Sequence, residues 1–110
     1  RVINADGSTA PKSDFQLSQQ IPISANTTAQ NSWKGKEIWI SASCTITIPA
    51  PSTLSDEWAV DIATLAGATL TLAITTPGTW LFGTPTTIGE KTIFRISKRG
   101  NTNSIAIFGL

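Results

Sequence analysis

Residues 37–48, E-I-W-I-S-A-S-C-T-I-T-I, constrain the fold more than any other stretch of the chain. Ile38, Ile40, Ala42, Cys44, Ile46 and Ile48 fall on every second position, with Trp39, Ser41, Ser43, Thr45 and Thr47 between them. A period of two marks a strand with one buried face, because successive side chains leave a pleated backbone on opposite sides. A usual strand is about 5–6 residues long, so the run reads as two strands, 36–41 and 45–48, joined through small residues. Pro49-Ala50-Pro51 ends the second, since proline has no N–H to give to a ladder.

The same alternation recurs later. Trp58, Val60 and Ile62 alternate with Ala59, Asp61 and Ala63, and Ala68, Leu70, Leu72 and Ile74 alternate with threonines and Ala73. Residues 92–97 and 104–108 read as the last two strands, with 86–88 a shorter one and Gly89-Glu90-Lys91 a hairpin turn. Pro22 between Ile21 and Ile23 limits that segment to a sheet edge. Ser52 stands where it would cap one short helical turn. Pro77-Gly78 has the sequence of a type II turn, in which glycine supplies a positive φ. Short strands with frequent turn signals and no sustained helical period predict an all-β domain, a single β-sandwich or jelly roll over residues 21–110. Residues 1–20, polar and marked by Asp6-Gly7 and Ala10-Pro11, read as an extended N-terminal arm or linker whose apolar anchors include Phe15 and Leu17.

Composition narrows the chemistry. The 110 residues suffice for one domain. Only 14% are charged, against about 25% in an average domain, so Thr, Ser, Asn and Gln must cover much of the surface. The net charge of +1 argues against nucleic-acid binding, which rests on many phosphate contacts. No apolar run approaches the roughly 20 residues of a membrane-spanning helix.

Histidine and tyrosine are absent. The commonest general base, the commonest transition-metal ligand and any Ser–His or Cys–His pair are absent with them. The single Cys44 shares the parity of the isoleucines and reads as a small buried hydrophobe. The expectation is therefore a non-enzymatic protein with no catalytic residues, no metal site and no cofactor. Binding falls to aromatic side chains and uncharged polar ones. Trp58 is expected in the core. Trp33 and Trp80, in loops, and Asn101 and Asn103 are the candidate ligand-binding residues, since an exposed indole face stacks on sugar rings. Trp39 lies on the polar side of its strand; with Phe15 and Leu17 it is a candidate interface residue.

From Thr45 onward the chain runs T-I-T-I-P-A-P-S-T-L, W-A-V-D-I, A-T-L-T-L-A-I, G-T-P-T-T-I-G-E-K-T-I-F-R-I-S and S-I-A-I-F-G. This series resembles the C-terminal β-domains of tailed-bacteriophage fibre, spike and tail-needle proteins. There an I-T-L-P strand precedes a G-W-x-V-x-I strand, a Thr-rich strand, a G-x-x-T-I-x-x-G loop and a closing strand. The likeness covers about the last two-thirds of the chain, and Phe108 stands in the closing strand where an aromatic–aliphatic ending is usual. It implies a homotrimeric β-domain on the virion surface, outside the cell.

Three functions follow as expectations. The first is a virion structural protein, a fibre or spike tip domain that attaches to bacterial surface glycan. The second is a capsid decoration or head-fibre protein, anchored on phage capsid or tail protein by its N-terminal arm. The third is a monomeric carbohydrate-binding or adhesin module.

Overall fold

The computed structural model describes residues 20–110. The arm, with Phe15 and Leu17, lies outside the described residues. Among the described residues nine strands form: β1 (Gln20–Ile23), β2 (Thr27–Thr28), β3 (Glu37–Ile40), β4 (Cys44–Ile48), β5 (Ala59–Thr64), β6 (Leu70–Ile74), β7 (Thr79–Trp80), β8 (Ile93–Lys98) and β9 (Ser104–Phe108). The described residues are all-β apart from two short 3-10 turns, Asn31–Trp33 and Pro51–Thr53. The two strands read from the opening run are β3 and β4.

The first six strands alternate between two sheets. A six-stranded sheet has the order β1-β3-β5-β8-β9-β7, and a three-stranded sheet has the order β2-β4-β6. Within each sheet the odd or the even strands pair in parallel, Ile21 beside Ile38 beside Ile62, and Thr27 beside Ile46 beside Leu72. The chain thus winds between the sheets, each strand of one sheet serving as the crossover for the other. After the third winding it changes habit: β8 pairs antiparallel with β5, and β9 antiparallel with β8.

This pairing differs from the antiparallel order of a jelly roll or immunoglobulin-type sandwich. Parallel strands cannot be joined by a two-residue hairpin, and here a strand of the opposite sheet fills the connection. One core lies between the sheets. Ile38, Ile40, Val60, Ile62, Phe94, Ile96 and Ile105 enter it from the larger sheet, and Cys44, Ile46, Ile48, Leu70 and Leu72 from the smaller. At about 1.5–3 kcal/mol for each fully buried aliphatic side chain, these contacts drive the fold.

The corners between sheets are stitched by side chains. Thr45 donates its backbone N–H to Asn26 Oδ1 (2.8 Å), and Thr69 donates its own to Ser43 Oγ (3.0 Å). Each corner thereby holds the start of the next winding's strand. On the β3 side of β1, Ser41 N–H donates to the Ile23 carbonyl. Ile23, and Ile21 by alternation, therefore turn their peptide groups toward β3 and leave Pro22 facing outward, where no donor is required.

Three local expectations are corrected. The turn at Pro51–Thr53 has Ala50, not Ser52, at its N-cap position, with no side-chain cap bond. Pro77 follows a cis peptide, and Gly78 is not among the positive-φ glycines. Glycine is needed there for space instead, since a Cβ would meet Ile74 Cγ1 and the Thr75 carbonyl, both at 2.9 Å. The Gly89-Glu90-Lys91 turn does not close a hairpin, because Ile88 bridges to Leu70 while β8 pairs with β5.

Candidate functional site

The larger sheet turns its inner face to the core and leaves its outer face uncovered within the described residues. Strand register places three rows across that outer face, one of them the small residues Ala59, Ser97 and Ala106. A second row is Pro22, Trp39, Ala63 and Ile93; the third is Gln20, Glu37, Asp61, Arg95 and Phe108. Ile93 is 74% exposed and Phe108 52%. Trp39 is half-buried and donates its indole N–H to Glu37 Oε1 (3.3 Å), which Gln20 Nε2 also approaches (3.4 Å). Arg95 Nε donates to Asp61 Oδ1 at 2.7 Å. That bond, together with the charge of Asp61, raises the guanidinium above its ordinary pKa.

Trp39, Ala63 and Ile93, with Glu37 and Asp61, line a recess of about 160 Å³. Alanine is the small residue between two large ones, so it forms the floor. The chemistry available is apolar contact flanked by one guanidinium and two carboxylates.

A second feature lies at the far edge of the same sheet. β7 runs parallel to β9, and Thr79 N–H donates to the Asn103 carbonyl at 2.9 Å. Trp80 packs one side against the core. Beyond it Phe82 is 75% exposed, and both Asn101 and Asn103 are exposed. Three of the four candidate ligand residues, Trp80, Asn101 and Asn103, are thus brought to one edge of the fold.

Trp33 is not with them. It is 4% exposed, inside the core at the end of the 3-10 turn Asn31–Trp33. That turn folds the polar loop over Trp58, whose indole N–H donates to the Gln30 carbonyl (3.1 Å). A loop position therefore proved no guide to exposure, and Trp33 leaves the ligand set. Trp58 is fully buried as expected, and Cys44 is buried, its thiol pKa raised by desolvation.

Ile93, Phe108 and Phe82 are the site residues that sequence reasoning missed. A signal was available for the first two. In Ile93-Phe94 and Ile107-Phe108, adjacent apolar residues on one strand must point to opposite faces, so one of each pair has to leave the core.

No protein-family model, curated protein or solved structure matches the chain significantly. Among the described residues, the fold is all-β with two sheets, an outer sheet face of apolar and charged rows, and an aromatic edge.

Proposed function

We propose that the chain is a non-enzymatic structural protein of a virion surface, a fibre or spike tip domain that attaches to the bacterial host. The observation that carries this reading is the aromatic edge: Phe82 beyond Trp80, on a strand bonded to the Asn101–Asn103 loop. Aromatic faces beside amide groups suit a sugar, whose C–H face stacks while its hydroxyls take hydrogen bonds. The resemblance of the strand motifs to phage fibre domains supplies the virion context. The two facing sheets act as a sandwich-class body, wound rather than rolled, that carries this edge at its periphery. The partner is bacterial surface glycan, and the place is the outside of the particle.

The test is binding of the labelled full chain to a panel of bacterial cells and to their extracted surface polysaccharides. Combining Phe82→Ala with Asn101→Ala and Asn103→Ala should weaken binding at least about tenfold, since each lost amide hydrogen bond alone contributes about 0.5–1.5 kcal/mol. Circular dichroism should be unchanged. Binding that survives the triple substitution would remove the edge from the proposal. A chain that ignores cells and polysaccharide but coats purified phage capsids would favour decoration.

A further inference from the structure

We propose that the outer face of the six-stranded sheet docks a second copy of this chain, across a two-fold axis running between β5 and β8. The docking does not depend on host attachment, because the face and the Phe82 edge use different residues.

An isologous contact requires a surface that is its own complement. A two-fold axis along the strands, midway between β5 and β8, places each residue of β5 opposite its register partner on β8 of the other copy. Register pairs Ala63 with Ile93 and Asp61 with Arg95. The apolar side chain with the highest fractional exposure on the face, Ile93 at 74%, then meets the floor of the other copy's recess at Ala63, with Trp39 as the recess wall. The reciprocal contact forms at the same time.

The charges agree with the shapes. Asp61 and Arg95 form an exposed pair within each copy. Under the same axis each Asp61 faces the other copy's Arg95, so two ion pairs become one alternating square of four charges. Like charges meet only on the diagonals. A knob, its socket and both members of an ion pair thus satisfy a single symmetry operation.

Other routes to self-association are less well provided for. At the open side of β1, Pro22 faces outward and has no N–H for a further strand. The resemblance implies a homotrimer instead, and a three-fold arrangement cannot place Ile93 and Ala63 in reciprocal contact. Dimer and trimer are therefore separable outcomes.

The experiment is the native mass of the full chain by light scattering over a range of concentrations, with folding checked by circular dichroism. The expected result is twice the mass of one chain. Ile93→Asp should weaken the dimer at least 100-fold, because it puts a carboxylate into the socket. Asp61→Arg alone and Arg95→Asp alone should each be monomeric, facing like charge with like. An equimolar mixture of those two should restore a dimer containing one of each. A monomer at every concentration, a trimer, or a dimer indifferent to Ile93→Asp would overturn the proposal. Since Phe82 is untouched in these variants, cell binding reads out the attachment role separately.

Discussion

Lys98 Nζ donates to the carbonyl of Leu54 at 2.9 Å, and to that of Pro51 at 2.8 Å, from a side chain only 4% exposed. The ammonium reaches inward from β8 and ties down the turn that follows β4. Asp56, at the surface, approaches it at 3.7 Å. The carbonyls satisfy the buried donor, and the carboxylate adds a looser contact from the solvent side.

Lys98→Met keeps the stem and removes the donors. Hydrogen bonds to a charged group contribute about 1.5–3 kcal/mol, so the substitution should cost about 3 kcal/mol in chemical denaturation. Asp56→Asn, at an exposed partner, should cost less than about 1 kcal/mol. Equal effects of the two would show that the carboxylate, not the carbonyls, holds the lysine.

Thr64 occupies an inward position on β5 and uses its hydroxyl twice. Oγ1 donates to the Gly89 carbonyl at 2.7 Å and accepts the Thr92 N–H at 2.9 Å. Thr64→Val preserves the shape and abolishes both bonds, each a net contribution of about 0.5–1.5 kcal/mol, while the exposed Gly89 and half-buried Thr92 turn to water. A loss of about 1–3 kcal/mol is expected, read as a lower denaturation midpoint at unchanged slope.

Gly78→Ala tests steric demand rather than backbone freedom. The added methyl group would sit 2.9 Å from Ile74 Cγ1 and from the Thr75 carbonyl. Overpacking of this kind costs about 1–3 kcal/mol. Gly35→Ala meets nothing within 4 Å but holds φ at +74°, so its cost should be purely conformational. Ile74→Val in the Gly78→Ala background removes Cδ1, the third close contact at 3.0 Å, and should recover part of the loss while leaving Gly35→Ala unrelieved.

Cys44 gives a pH dependence with a definite sign. Burial raises its thiol pKa above the ordinary 9.0. Between the unfolded and folded pKa values the folded chain binds more protons, so stability falls as pH rises. Its contribution is complete below about pH 9 and declines above it, as the unfolded chain gains a thiolate that the fold resists. Denaturation midpoints measured from pH 7 to pH 10 should show that decline, and Cys44→Ala should flatten it.

The strands were legible because their chemistry is local. Ile38, Ile40, Ile46 and Ile48 announce their faces by parity alone, and β3, β4, β5, β6, β8 and β9 were all readable in that way. Partners were not, since parity says which face is buried and nothing about which strand lies alongside. Parallel sheets usually read as continuous apolar runs. Here each winding leaves an outer face in the open, so Ile38-Trp39-Ile40 keeps an alternation more typical of antiparallel sheets. Lys98 was overlooked for a different reason. A lysine is almost never fully buried unless its charge is satisfied, yet this one continues the inward parity of Phe94 and Ile96. Trp33 required knowing that a polar loop folds under itself. At the aromatic edge Trp80 and Asn103 are neighbours only because β7 joins β9, a pairing no local signal encodes.

The position of β5 between β3 and β8 bears on the order in which the molecule can be made. On a growing chain the three windings emerge first, and β5 then has one flank bare and part of the core without its Phe94 and Ile96 lining. The strand that covers that flank comes from near the other end of the sequence. Structures that wait for distant pairing fold slowly, and a bare strand edge is where stray chains attach. The pairing of β8 with β5 is thus what covers that edge and completes the core lining. A chain truncated before β8 would carry all three windings in its sequence and leave that edge of β5 without its partner.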